Sequence, residues 1–397
     1  MKRFAVVPAI LLILTTAACA GSTTATPSPS PTTEMPTASY SPPPDVVITP
    51  EQDIELNNIQ PDDGTTPVVA FINSATKSID VSIYRIDADF TAIVDPLAAQ
   101  AAKGLRVRVL ISRQLVGQPN PPDGNADQVT TQQALEKLGI EVALSRPELH
   151  YGHEKAIIID PQTPNGRAMI ADWNLQASYF GPNQYGPVGA RGMAVVDKNP
   201  EDVKLIAATF DANWPPYKPW PVSTRGSLVW SPSGIEYSPV GNGVAVLTEM
   251  FANTKSTLDI YAEYIQDNSF MLPKLIDVAK RGVKVRVIAN SSGQSPQIVQ
   301  QLRDAGIDVR FDPHNAMQAP GSVMFVHTKT AISDGQTPEK TVFIGSQNQF
   351  LNESLESILE LGVIVKNPST IEKVKQTFET DWQSSTETQV TSSASSN

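Results

Sequence analysis

Two copies of one pattern, His153-x-Lys155-x4-Asp160 and His327-x-Lys329-x4-Asp334, lie in the two halves of this chain. An asparagine follows each histidine at the same distance of 21 residues, Asn174 in one half and Asn348 in the other. The copies use two of only four histidines among 397 residues. One such triple arises by chance in about one chain in a hundred of this length, and two with matching downstream spacing far more rarely. The pattern therefore implies a duplicated unit whose two constellations meet in one composite site.

The likeness runs the length of both halves. Lys77-Ser78-Ile79-Asp80-Val81 answers Lys255-Ser256-Thr257-Leu258-Asp259-Ile260 with a one-residue slip, and residues 102–109 answer 280–287, each as a helix that stops at glycine before a strand. Residues 138–142 answer 305–309, 196–200 answer 364–368, and 209–214 answer 377–382, the last pair read as closing helices. Strands alternating with helices through short glycine turns predict an α/β protein of two duplicated α/β/α sandwich lobes, each with a mostly parallel or mixed sheet. Pro215, Pro216, Pro219 and Pro221 exclude a continuous helix, so the linker is expected at 215–231. The first lobe is placed at 46–225 and the second at 226–383, with the boundary near Gly226.

The ends read differently. Lys2 and Arg3 followed by an apolar run from Phe4 to Leu14 resemble a signal peptide over residues 1–19, too short to span a bilayer. Cys19, the sole cysteine, follows Thr16-Ala17-Ala18 in a manner that resembles the lipobox of bacterial lipoproteins. The expectation is lipidation at Cys19 and an extracytoplasmic, membrane-anchored location in the cell envelope, with plain secretion as the alternative. Residues 20–45 and 384–397 are rich in Ser, Thr, Pro or Ala and are expected to be a disordered tether and tail. Loss of residues 1–19 removes two basic residues and no acids, leaving 28 basic against 41 acidic residues, a charge of −13. That balance disfavours nucleic acid as a partner of the whole surface, although a local basic cleft can still hold a phosphate.

His153 and Lys155 stand two apart on an expected strand, so both face one side while Glu154 faces the other. One strand thus offers a nucleophile and a cation to the same phosphate. In these residues the chain resembles the phospholipase D superfamily, of the type with two HKD motifs on one polypeptide, from about Val46 to Trp382. The resemblance implies a pseudo-twofold bilobal enzyme that cleaves phosphodiesters through a phosphohistidine intermediate, without metal or cofactor.

The chemistry fits these residue types. Lys155, Lys329, Asn174 and Asn348, with Ser346 as a further donor, would stabilise the non-bridging oxygens of the transition state. One imidazole attacks phosphorus while the other gives its proton to the leaving oxygen. The sequence leaves open which histidine attacks, and the resemblance suggests His153 as the nucleophile and His327 as the acid. Asp160 and Asp334 complete the motifs and are read as supports of the motif loops. Glu360 matches a family carboxylate that orients an imidazole, and since Gly192 occupies the first-half position, Glu360 is expected to assist His327 only. Asp172, aligned with Ser346, brings a negative charge near the phosphate unless it points away.

His150 and His314 lie outside the motif register and are read as loop residues. Tyr261 and Glu263, at the end of the second half's first strand, are expected near the cleft, with core packing an equal reading of the tyrosine. No zinc-ligand cluster, P-loop or dinucleotide fingerprint appears. The expected activity is hydrolysis of phospholipid head groups by a monomer, with transphosphatidylation when an alcohol replaces water. Cardiolipin-synthase-like transfer and a nuclease are the alternatives. A non-catalytic display protein is disfavoured because both motifs retain histidine and lysine.

Overall fold

The repeat dictates two sheets with one strand order. The computed structural model describes residues 54–118, 125–149, 151–181, 189–221, 227–233, 241–312 and 324–388, all within one compact unit. Cys19, the tether, His150, His314, Gly226 and residues 389–397 of the tail lie outside the described residues. The first half contains β1 (Ile54–Gln60), α1 (Thr66–Asn73), β2 (Ser78–Ile83), α2 (Thr91–Ala102), β3 (Arg106–Ile111), α3 (Ala126–Glu136), β4 (Glu141–Leu144), β5 (Ala156–Ile159), β6 (Arg167–Ala171), β7 (Ala190–Asp197) and α4 (Pro200–Asn213). The second contains β8 (Leu228–Ser231), α5 (Gly243–Asn253), β9 (Thr257–Ala262), α6 (Leu272–Lys280), β10 (Lys284–Ala289), α7 (Pro296–Asp304), β11 (Asp308–Phe311), β12 (Phe325–Val326), β13 (Ala331–Ser333), β14 (Thr341–Gly345), α8 (Asn352–Glu356), β15 (Glu360–Val365) and α9 (Pro368–Ser384).

The sheets run β1-β7-β6-β5-β2-β3-β4 and β8-β15-β14-β13-β9-β10-β11. Both are mixed: β2, β3 and β4 are parallel, as are β9, β10 and β11, while the remaining neighbours are antiparallel. Gly104 and Gly282 occupy matching turns before β3 and β10 at φ +90° and +89°, a conformation that costs an L side chain and costs glycine little. A matched strut recurs behind each sheet. Arg108 bridges Asp80 and Asp211 and lies over Phe210 and Trp214, and Arg286 bridges Asp259 and Glu379 and lies over Phe378 and Trp382.

Side-chain alternation explains how the halves join. On β5 to β7, Ala156, Ile158, Ile170, Met193 and Val195 enter one cluster with Val342, Ile344, Leu361 and Val363 of β14 and β15. Their sequence neighbours Ile157, Ile159, Met169 and Val196 face the first half's own helices, as Phe343 and Ile364 do in the second. Period-two patterning thus makes each sheet buried on both faces, one against its helices and one in a core common to both halves, which α4 and α9 also enter. The tail expectation needs correction at its start: α9 runs to Ser384, and Thr386 pairs with Phe311 at the free edge of β11, whose backbone groups it satisfies.

A buried ion pair spans the halves beside the common core. Arg191 on β7 donates to both carboxylate oxygens of Asp381 on α9 and to Asp62, and Tyr261 on β9 donates to Asp381 at 2.6 Å. Removing one partner strands a charge away from water. Arg191→Ala is expected to lower unfolding free energy by about 3–5 kcal/mol in urea titrations, a loss that an exposed pair would not produce.

Candidate active site

Both motif segments are held by the opposite half. The amide of His153 donates to Leu359 O at 2.8 Å, and Gly152 bridges Leu359 in parallel register, just before β15 begins. In the mirror arrangement β12 pairs with β7 through Phe325–Ala190 and Val326–Arg191, and the amides of His327 and Thr328 donate to Arg191 O. The motif triplets 153–155 and 327–329 are therefore not strand residues of their own sheets. They precede β5 and β13, so the expected strand placement of His153 and Lys155 is one turn of pairing too early.

This exchange overturns one expectation. Glu360 does not serve His327: its Oε2 lies 2.7 Å from Nδ1 of His153, across the two halves. It sits at the first residue of β15, next to the Leu359 that pairs with the first motif, so its side chain reaches the other copy's ring. Ser354 donates to its Oε1 at 2.5 Å, and burial of the carboxyl is complete. Where Glu360 is ionised, above the range to which burial raises it, it accepts from Nδ1 and leaves Nε2 of His153 as the nitrogen with a free lone pair. Tyr84 packs edge-on against the ring at 4.7 Å, and 14% of the His153 side chain stays exposed against 4% for His327.

His327 has different surroundings. No carboxylate meets its buried Nδ1, since Gly192 stands where a twin of Glu360 would be, and the backbone of Asp172 is the hydrogen-bonding group that acts on the ring. Its Nε2 lies 3.7 Å from Oε1 of Glu263, whose other oxygen takes a hydrogen bond from Lys329. Tyr179 packs edge-on against the ring at 4.7 Å, and Phe325 lies 6.2 Å away. Each motif lysine also donates to the carbonyl of its own histidine. The two rings share one site: the charge of His153 acts on His327, and Lys155 and Lys329 both act on each ring.

The remaining expected residues divide. Asn174 donates to Tyr179 Oη at 3.2 Å, and the Oδ1 atoms of Asn174 and Asn348 are buried without partners among the described residues, so each amide keeps an unspent acceptor that only a donor can satisfy. Ser346 does not serve as a free phosphate donor, since its hydroxyl is consumed by the backbone of Leu361 and by Glu360. Asp172, at the matching position, accepts from Met193 N at 2.8 Å and from Thr328, so it points into the opposite motif segment. Asp160 and Asp334 lie at the far ends of β5 and β13, on the order of 20 Å of strand from the histidines. Each has φ +51° and accepts backbone amides, Asp160 from residues 76–78 and Asp334 from 255–257, pinning the motif strand to its neighbour.

Tyr84 and Tyr179 escaped the reading of the sequence, although Tyr84 aligns with Glu263 at the matched ends of β2 and β9 and could have been found from that register. Among the described residues no group of three or more His, Cys, Asp and Glu side chains is arranged to hold a metal ion, and no helix is long and apolar enough to cross a membrane.

Residues 68–214 and 247–382 match the family described as cardiolipin synthase, PLD-like domain. Over 144 residues the chain is 35% identical to the virion nicking-joining enzyme of vaccinia virus (strain Western Reserve), covering 34% of this chain and 32% of that protein. The monkeypox virus enzyme of the same name is 34% identical over 144 residues, with the same shares. The chain thus matches about a third of the length of these curated relatives. Phosphatidylserine synthase from Haemophilus influenzae Rd KW20 superposes with a TM-score of 0.60 at 14% identity, over 85% of this chain and 88% of that one. Polyphosphate kinase from Porphyromonas gingivalis superposes with a TM-score of 0.56 at 16% identity, over 82% and 50%. At these identities the structural likeness is one of fold.

Burial governs the charges. It drives both histidines well below their usual range, with the two lysines adding to the effect, and so favours neutral rings. Burial also lowers Lys155 to about 7 and raises Asp172 to about 6, Glu154 to about 7 and Glu360 to about 8. Glu154 yields a stability prediction. Below its unfolded value both states are protonated, whereas between about 4.5 and 7 only the unfolded chain releases the proton, so this group costs stability as pH rises. Glu154→Gln should therefore gain on the wild type by on the order of 3 kcal/mol between pH 4.5 and pH 8, read from urea midpoints, and a constant difference would refute the assignment.

Proposed function

Since this chain belongs to the phospholipase D-like family, matched in both halves, we propose that it is a phosphodiesterase acting on phospholipid head groups through a covalent phosphohistidine. The contact of 2.7 Å between His153 Nδ1 and Glu360 carries the proposal. It supports His153 as nucleophile, because a ring fixed through Nδ1 presents Nε2 in one direction and gains stabilisation as it becomes positive. The bond from Nε2 to phosphorus forms as the bond from phosphorus to the leaving oxygen breaks. His327 donates its Nε2 proton to that oxygen, then takes one from the water that attacks phosphorus and releases His153. Burial and the lysines oppose protonation of His327, and the bound phosphodiester's negative charge offsets them. Lys155, Lys329 and the two asparagines stabilise the non-bridging oxygens. An alcohol in place of water gives transphosphatidylation.

The lipid assignment draws on the rim of the site. Among the described residues four large apolar side chains are exposed, and three of them adjoin the machinery: Phe325 beside His327, Tyr264 next to Glu263, and Val116, whose amide bonds the Tyr84 hydroxyl at 2.7 Å. An apolar rim suits acyl chains at a bilayer. A lipid anchor at Cys19 with its tether would hold the enzyme at the cell envelope within reach of that surface. The likeness to nicking-joining enzymes supports a second reading, a nuclease of the same chemistry.

Assays of the mature chain on phosphatidylcholine vesicles, bis(p-nitrophenyl) phosphate and single-stranded DNA separate the two. Head-group release that persists in EDTA is expected, and cleavage of DNA with lipid untouched would install the nuclease instead. His153→Ala and His327→Ala should each cut kcat by about 10³-fold or more. Glu360→Gln should cut it by about 10²-fold, and trapping of labelled phosphate should fail in His153→Ala.

A further inference from the structure

The carboxylate of Glu263 has no counterpart in the mechanism above. It is a buried acid at the centre of a site that must accept an anion, and Tyr84 holds the matching position in the first half. Its Oε2 is bound by Lys329 and its Oε1 faces His327 Nε2 from 3.7 Å, beyond a hydrogen bond, so the donor nitrogen remains open to a leaving oxygen. Its charge acts on His153, Lys155, Tyr84, Tyr179 and Tyr264. An acid so placed cancels one of the two motif lysines and repels a phosphodiester, unless the substrate brings a positive charge of its own.

The surroundings suit such a charge. Tyr179 packs edge-on against His327, Phe325 lies 6.2 Å from the same ring, and Tyr264, on which the Glu263 charge acts, is 44% exposed, so aromatic rings surround the carboxylate and the imidazole it faces. Aromatic rings with an acid recognise ammonium groups. Resting on the phosphodiesterase reading, we infer that Glu263 is a specificity-determining residue that selects substrates whose leaving alcohol carries a positive charge, a choline or ethanolamine type of head group, over anionic or neutral ones. The carboxylate pairs with the ammonium while His327 protonates the oxygen a few bonds away.

The test compares kcat/KM of the full mature chain for phosphatidylcholine and phosphatidylglycerol in the same mixed micelles, before and after Glu263→Gln. Wild type should favour phosphatidylcholine by about tenfold or more, and the variant should lose most of that ratio. A ratio that stays the same, with both rates falling or rising together, overturns the inference. Choline should also inhibit wild-type cleavage of bis(p-nitrophenyl) phosphate more strongly than dimethylbutanol, its uncharged isostere, a comparison that needs no variant; equal inhibition counts against Glu263. Cleavage of bis(p-nitrophenyl) phosphate that disappears in His153→Ala sustains the underlying reading even if selectivity fails, whereas no cleavage of any substrate ends both.

Discussion

Two backbone exchanges hold this molecule to its purpose: the amide of His153 on Leu359 of the second half, and the amides of His327 and Thr328 on Arg191 of the first. The proposed reaction, shared by two imidazoles, needs them fixed relative to one another, since misplacement by about 1 Å can cost two orders of magnitude in rate. Two lobes joined only by a linker would hinge. Here each motif segment is stitched to the other half's strand, and a common core fills the space behind. The Arg191–Asp381 pair ties the same strand to the closing helix α9.

Within that symmetric frame the polar residues are deliberately unlike. Glu360 corresponds to Gly192, Ser346 to Asp172, Glu154 to Thr328 and Glu263 to Tyr84 when the two halves are aligned. Gly192 leaves no room for a longer side chain, since a Cβ there would meet Asp172 Oδ1 at 2.9 Å. The carboxylate that orients a ring therefore exists once, on Nδ1 of His153, while His327 receives its acid on the Nε2 side. Two rings of equal chemistry thus have unequal surroundings. Low dielectric magnifies each difference, as the displaced acids and Lys155 attest.

Most of the scaffold was legible in the residues. Glycines 104 and 282, the paired closing segments and the isoleucine run of β5 marked helix ends and buried strands, because local sterics and periodicity act within a few residues. The motif histidines, lysines and asparagines were found by spacing alone. The composite site was expected, but particular contacts within it escaped: Glu360 was assigned to its own half's histidine, Ser346 to the phosphate, and Tyr84 and Tyr179 to nothing. Alignment of repeats tells which residues are equivalent, and equivalence is silent about which copy a side chain will touch.

By itself, then, the sequence determined a duplicated α/β architecture and the matched His, Lys and Asn positions of its two halves, since both follow from local pattern and from repetition. Only the tertiary structure decided that the strands swap partners at the motifs, that Glu360 serves His153, and that Glu263 stands beside His327. Those pairings join residues up to 207 positions apart, and no short-range rule reaches that far. They are set by the burial of two sheet faces in one core, which brings the end of each last strand against the other half's motif.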